Sequence, residues 1–200
     1  MRFSHILAGL MVVCSAAGAA GRSSVYRNND YGIYLPIPKG AWLCPASGYG
    51  IDHGPALLLG STEANVCRSS SEKRMITIFA SPITEDDKTL HSFLNSLCSY
   101  APLDEHDPSL VCVPAPDGLS VNGLPSEAAR VNLLNGWVEI IVVTHAGKPD
   151  PNFDASVPSM DYDLRLYSNA SHFDDDLMVF RTMLNTIKIG GWPPFEVPQK

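Results

Sequence analysis

The dipeptide Asn135-Gly136 constrains the fold of this chain most, because both residues tolerate the positive φ angles of a tight hairpin turn. Apolar residues recur on both sides of it, which predicts two paired antiparallel strands over residues 127–144. In a two-residue turn, the facing pairs are Leu134 with Trp137, Leu133 with Val138, Val131 with Ile140, and Ala129 with Val142. The last three pairs are expected on one buried face, with Arg130 diagonal to Glu139 on the other.

Shorter apolar patterns predict further strands over residues 32–37, 55–60, 74–80 and 161–167. Pro36 has no backbone N–H to donate, so we expect the first of these to be an edge strand. In the last of them, the residues predicted to point inward are Tyr162, Leu164 and Leu166, and those predicted to point outward are Asp163 and Arg165.

Two apolar stripes with helical spacing predict two helices. The first stripe runs from Leu90 to Cys98, and the spacing of Thr84 and Asp87 ahead of it is that of a capping box. The second stripe runs from Phe173 to Ile187, with Ser171 as its predicted N-cap and Gly190-Gly191 as its end. Strands and helices in this order predict an α+β domain, in which two main helices pack on an antiparallel sheet and disulfides staple the loops.

The first twenty residues have the pattern of a cleavable signal peptide. A basic residue, Arg2, precedes an apolar run over 6–13 and a stretch of small residues over 14–20. We expect cleavage after Ala19 or Ala20, and a single domain over residues 21–200 whose last residues, 190–200, form an extended tail. That domain of roughly 180 residues has an ordinary size, and its location is predicted to be periplasmic or secreted, without membrane insertion.

Four cysteines remain after the predicted cleavage, namely Cys44, Cys67, Cys98 and Cys112. An even number in an exported chain indicates two disulfides. Of the three possible pairings we favour Cys44 with Cys67 and Cys98 with Cys112, because each pair closes a loop-rich segment. No two cysteines have the close spacing of a zinc site, so the sequence predicts neither a metal nor another cofactor.

The charge of the chain bears on its partners. The formal net charge is −7, and no run of basic residues interrupts it. This argues against nucleic acid and anionic membranes as partners. It is compatible with a protein partner of positive charge.

The sequence offers little for catalysis. His53 follows Asp52 in a glycine-flanked segment, and together they suggest a general base with an orienting carboxylate. Adjacent residues rarely form such a pair, because the orienting group normally comes from elsewhere in the fold. We therefore interpret this segment as a tight turn and predict no catalytic residue. A hydrolase that uses His53 stays open as an alternative.

A candidate partner surface is suggested by aromatic side chains in or beside predicted loops and by an acidic loop over residues 145–160. Exposed aromatic residues are common anchors of protein interfaces. The candidate residues are Trp42, Tyr49, His53, Trp137, Asp150 and Asp154. Trp42 and Tyr49 fall in one predicted loop, and Asp150 and Asp154 are placed to enter a cationic cleft.

Several segments carry a resemblance to a known family. Val121–Pro125 leads into the hairpin, Tyr162–Leu166 precedes a closing helix with Phe180–Ile187, and Tyr31–Pro38 opens the domain. In this order the segments resemble the PsbP-like superfamily of small exported α+β domains. The resemblance implies an adaptor or accessory domain without enzymatic activity, and it transfers no catalytic residue. The segment between Cys44 and Cys67 departs from the family pattern.

Taken together, these features predict an exported, non-catalytic binding protein. We interpret it as an immunity or inhibitor protein of the bacterial periplasm that blocks an envelope-acting toxin or enzyme. An accessory domain of an envelope assembly is the first alternative, and the hydrolase is the second.

Overall fold

The computed structural model describes residues 25–44, 54–60, 74–83, 89–99, 111–147 and 159–190. Within these ranges the chain forms ten strands and two α-helices. The strands are β1 (Val25–Asn28), β2 (Ile33–Pro36), β3 (Ala41–Cys44), β4 (Ala56–Leu59), β5 (Met75–Pro82), β6 (Cys112–Pro114), β7 (Ser126–Asn132), β8 (Trp137–Ala146), β9 (Met160–Asn169) and β10 (Lys188–Ile189). The helices are α1 (Leu90–Ser99) and α2 (Phe173–Thr186).

The strands form two antiparallel sheets. The larger has seven strands in the order β3-β4-β5-β9-β8-β7-β6, and the smaller has three in the order β1-β2-β10. The predicted α+β class, with two helices on an antiparallel sheet, is confirmed. Among the described residues, no helix is both long and apolar enough to cross a membrane.

The two helices cover opposite faces of the larger sheet. On one side, which we call the α2 face, Phe180 and Leu184 pack against Ile140 and Leu164. On the other side, the α1 face, Phe93 of α1 packs against side chains of β7 and β8. Strand β8 is consequently buried on both faces from Val138 to Thr144, which is why its sequence is almost continuously apolar.

The predicted hairpin is present, but its register is shifted by one residue. Asn135 and Gly136 have the expected positive φ angles of 57° and 76°. Leu133 donates its N–H to the carbonyl of Trp137 at 2.8 Å, so Leu134 is an extra residue before the turn. The facing pairs are therefore Val131 with Glu139, Arg130 with Ile140, and Ala129 with Ile141.

Because of this shift, the prediction that the three apolar pairs share one face was wrong. Side chains alternate between the two faces of a sheet along each strand. A slip of one residue therefore places side chains that were predicted to share a face on opposite faces. Ala129 and Val131 lie on the α1 face, whereas Ile140 and Val142 lie on the α2 face. Arg130 and Glu139 likewise point to opposite faces. With the shifted register, the hairpin presents apolar side chains on both faces, so that each helix packs against an apolar surface of the same hairpin.

Two strand predictions were wrong in position. Strand β2 is central in the small sheet, not an edge strand. Pro36 is tolerated because β10 pairs with β2 only at Ile33 and Tyr34 and does not reach it. The segment with Trp42 and Cys44, predicted as a loop, forms β3 at the edge of the large sheet.

Both helices begin later than predicted. Helix α1 begins at Leu90, where Ser92 donates its N–H to Thr89 Oγ1 at 3.0 Å and Thr89 donates its own to Ser92 Oγ at 3.2 Å. Thr89 and Ser92 thus form a capping box. The predicted cap residues Thr84 and Asp87 lie outside the described residues.

Helix α2 begins at Phe173, with His172 at its N-cap. The hydroxyl of Ser171 donates to Asn169 Oδ1 at 2.8 Å and does not cap the helix. Helix α2 ends at Thr186, before the predicted glycines, because the chain turns there into β10. The apolar stripe of α2 is confirmed as buried at Leu177, Phe180, Leu184 and Ile187, whereas Phe173 at its start is half-buried.

One predicted disulfide, between Cys98 and Cys112, is confirmed, with Cα atoms 5.8 Å apart. It ties the end of α1 to the edge strand β6. Cys44 is also in a disulfide, but Cys67 lies outside the described residues, so their pairing stays a prediction. The predicted signal peptide over 1–20 and nearly all of the tail over 190–200 lie outside the described ranges as well.

We expect the double substitution Cys98→Ala and Cys112→Ala to lower the free energy of unfolding by about 3 kcal/mol. The reason is that the two cysteines close a loop with a sequence separation of 14, whose closure restricts the unfolded chain. Urea unfolding of the mature protein without reductant measures the loss. Ser99→Ala, beside the disulfide, is the control and should cost less than about 0.5 kcal/mol. A loss below about 1 kcal/mol for the double variant would contradict the stapling role.

Candidate functional site

Strand β9 carries an uninterrupted row of ionisable side chains on the α1 face. The row consists of Asp161, Asp163, Arg165 and Tyr167, at every second position. The opposite side of the same strand is apolar and packs in the core beneath α2. The sequence predicted that Asp163 and Arg165 point outward to solvent, which was wrong for Asp163, because it is only 5% exposed.

One guanidinium, that of Arg165, binds Asp163 of this row and Glu139 of the neighbouring strand β8. Arg165 donates from Nη2 to Asp163 Oδ2 at 2.9 Å and from Nη1 to Glu139 Oε1 at 3.3 Å. Burial alone would lower the pKa of Arg165, but the charge of Asp163, the hydrogen bond to it and the charge of Glu139 hold that pKa well above its ordinary value. The guanidinium therefore stays charged and offsets two buried carboxylates, since an unpaired buried charge would be strongly destabilising.

Tyr167 completes this end of the row. It lies opposite Glu139 in the ladder between β8 and β9. Burial and the charge of Glu139 raise the pKa of the Tyr167 hydroxyl. The hydroxyl thus keeps its proton and is a hydrogen-bond donor to Glu139.

The other end of the row contains a His–Asp pair. His145 of β8 lies directly opposite Asp161 of β9, and His145 Nδ1 is hydrogen-bonded to Asp161 Oδ1. Among the described residues, His145 Nε2 is buried without a hydrogen-bond partner. A buried carboxylate at Nδ1 orients the ring and favours a proton on that nitrogen, which directs Nε2 to the other side of the ring.

This pair lacks the arrangement of a serine-hydrolase triad. Ser81 of β5 lies opposite Asp161 on the side away from His145. The aspartate therefore sits between the serine and the histidine, whereas a triad places the histidine in the middle. The pair can orient a histidine toward a ligand, but Ser81 is not placed as its nucleophile.

A second feature is the edge of the large sheet at β6. Val111 and Val113 are 64% and 38% exposed there. Arg130 lies opposite Val113, and its guanidinium stacks over the ring of Phe173, 5.2 Å from the ring centre. We call Val111, Val113, Arg130 and Phe173 the β6 edge surface.

The structure places two of the six predicted partner-surface residues. Trp42 is half-buried in β3 and packs against the cluster of Cys44, Ala56 and Leu58. Trp137 is half-buried at the start of β8. Four strand spacings separate them, roughly 19 Å, so they do not form one patch. Tyr49, His53, Asp150 and Asp154 lie outside the described residues, and their role stays a prediction.

Neither the buried polar row nor the β6 edge surface was predicted from the sequence. The sequence shows that charged and apolar residues alternate over 161–167. This alternation places the charged side chains on one face of the strand, but it does not show whether that face is covered. The continuous apolar run of β8 was the better signal, because a strand buried on both faces requires neighbours that are covered on both faces too.

We expect Arg165→Met to lower the free energy of unfolding by about 3–5 kcal/mol, because it leaves the carboxylates of Asp163 and Glu139 buried without a counter-charge. Urea unfolding monitored by circular dichroism gives the difference. The matched control is Arg181→Met, since Arg181 is exposed and, within the described ranges, donates only to the carbonyl of Asp117. The control should cost less than about 1 kcal/mol. Equal losses in the two variants would show that the ion pairs of Arg165 stabilise the protein no more than an exposed arginine does.

Comparisons with known proteins add little to this geometry. No protein-family model and no curated protein matches the chain. Among solved structures, it is similar to LpqN of Mycobacterium tuberculosis, a protein described as involved in cell envelope biogenesis. The identity is 13%, the TM-score is 0.49, and the match covers 78% of this chain and 82% of LpqN.

Proposed function

We propose that this chain is an exported, non-catalytic binding protein, and that another protein docks on its β6 edge surface. The observation that carries the proposal is the exposure of Val111 and Val113 at an edge strand. Water-exposed valines on an edge strand are unfavourable for a monomer, because such an edge is a template for pairing with another chain. A partner that covers them would remove apolar area from water.

The chemistry of the surrounding residues supports a protein partner. Arginine and aromatic side chains are enriched at the centres of protein interfaces. Arg130 stacked on Phe173 supplies both types next to the exposed valines. The N–H of Nε also donates to Asn132 Oδ1 at 2.9 Å, so the guanidinium is held in place from two sides.

The edge is also rigid before any partner binds. Cys112 is paired with Val131 of β7 on one side and bonded to Cys98 of α1 on the other. A surface that is already ordered loses less conformational entropy on association. The described part of β6 pairs only with β7, so its outer backbone groups are placed to accept an added strand.

The finer role that we propose is inhibition of an envelope-acting toxin or enzyme. The net charge of −7 favours encounter with a partner of positive charge. An accessory role in an envelope assembly is the alternative, in line with the resemblance to PsbP-like domains. The two roles differ in the partner, which is a toxin or enzyme in the first case and a resident structural component in the second.

The test is affinity capture from envelope and secreted fractions with mature wild-type protein and two variants, read by mass spectrometry. Val113→Asp places a charge on the β6 edge surface and should abolish capture of the stoichiometric partner. Met178→Asp is the control, because Met178 is 61% exposed on α2, outside that surface. Capture that survives Val113→Asp, or that Met178→Asp abolishes equally, would contradict the proposal.

The His145–Asp161 pair favours one second candidate, a hydrolase. An imidazole oriented by a buried carboxylate, with Nε2 unpaired within the described part of the chain, is the arrangement of a general base. His145 would take the role that the sequence analysis offered to His53. No nucleophile or substrate site accompanies the pair among the described residues, which is why we rank this function second.

We expect the wild-type protein to hydrolyse p-nitrophenyl acetate, butyrate and phosphate no faster than buffer does. A spectrophotometric assay of each ester measures this. Turnover that is lost in His145→Asn but retained in His53→Asn and in His91→Asn would replace binding by catalysis as the function. His91 is the surface control, because it is exposed and its imidazole is hydrogen-bonded to Glu127.

A further inference from the structure

The β6 edge surface contains an arginine that is not paired with a carboxylate of the described residues. Within those ranges, the arginines in salt bridges are Arg74 and Arg165, and Arg130 is not among them. Other contacts hold Arg130 in place, because Nε donates to Asn132 Oδ1 at 2.9 Å and the guanidinium stacks over the ring of Phe173. The two Nη atoms of Arg130 donate to none of the described residues, so both are available to a ligand.

Arg130 and Val113 lie side by side on one face of the sheet, since they are directly opposite each other in the ladder between β6 and β7. A strand added outside β6 would place one of its side chains opposite Val113, on that same face. Two strand spacings, roughly 10 Å, would separate the backbone of the added strand from that of Arg130. A long side chain on the added strand and the long side chain of Arg130 can therefore meet above the short valine.

We propose that the partner docks on β6 as an extended strand, and that an acidic side chain of this strand, opposite Val113, binds Arg130. This inference rests on the proposed docking at the β6 edge surface and names the chemistry of the partner. A guanidinium binds a carboxylate through two parallel hydrogen bonds, which fixes both distance and orientation. The side chain two positions along the added strand would be apolar, because it lies beside the exposed Val111.

A local carboxylate is compatible with a partner of positive net charge. The formal net charge of −7 acts on the whole partner during encounter, whereas one carboxylate at Arg130 fixes the register of the docked strand. A second copy of this chain is a poorer occupant of the same edge. The two copies carry the same net charge, and β6 (Cys112–Pro114) has no carboxylate to offer to Arg130.

The test uses a defined peptide, Ac-Thr-Val-Thr-Glu-Thr-NH₂, and a control peptide with glutamine in place of glutamate. Each is titrated into the ¹⁵N-labelled mature protein at about 0.15 M ionic strength, where distant charges are screened. We expect saturable shifts of the backbone amides of Val113 and Arg130. The glutamate peptide should bind about tenfold more tightly than the glutamine peptide, because only glutamate forms charge-assisted hydrogen bonds with Arg130.

Variants of the arginine assign this preference to its charge. Arg130→Gln should bind the two peptides equally, and Arg130→Glu should prefer a third peptide with lysine in place of glutamate. Arg27→Gln is the matched control, because it removes an exposed arginine of the small sheet and should keep the wild-type preference. An unchanged far-ultraviolet circular dichroism spectrum shows that each variant is folded.

Three outcomes would overturn the proposal. The first is the absence of saturable shifts at β6, and the second is equal binding of the glutamate and glutamine peptides to the wild-type protein. The third is a wild-type dimer in sedimentation velocity that Val113→Asp dissociates, which would make a second copy the occupant of the edge.

The affinity capture described above separates this inference from the docking surface itself. A partner that is lost with Val113→Asp but captured equally by Arg130→Gln would leave the surface in place and refute the acidic strand. A partner that Val113→Asp still captures would refute the surface as well.

Discussion

The ion pairs of Arg165 with Asp163 and Glu139 allow two neighbouring strands to be buried on both faces. Strands β8 and β9 lie at the centre of the seven-stranded sheet; α2 packs on one face, and α1 packs on the other face against β7 and β8. The α2 face is filled by apolar side chains, whereas the α1 face of β9 carries only ionisable ones. Without the guanidinium, this face would hold carboxylates with no counter-charge, and the sheet could not be closed there.

Local chemistry made most of the fold predictable. The Asn135-Gly136 turn, the two apolar stripes of the helices and the disulfide between Cys98 and Cys112 are all local features, and the structure contains each of them. The register of the hairpin was missed because turn chemistry fixes the turn but not the extra residue Leu134 before it. Strand β10 was missed because its two residues are held by β2, far away in the chain.

The sites were harder to predict than the fold. The α1 face of β9 looked like a solvent face, since alternation in one strand does not reveal what covers its second side. His145 gained its partner Asp161 only through the pairing of β8 with β9. The β6 edge surface likewise depends on strand order. The aromatic residues that suggested a surface include Trp42, which is packed into an apolar cluster.

We propose that architecture and recognition are separate in this chain: buried charges stabilise the centre of the sheet, and a partner docks on exposed residues at its edge. Hydrogen–deuterium exchange of the mature chain, with and without its captured partner, tests this most directly. We expect the partner to slow amide exchange at Val111–Val113, in and just before β6, and to leave the opposite edge, β3, unchanged. Slower exchange at Ala41–Cys44 with none at β6 would contradict the account, because it would place recognition at the other edge.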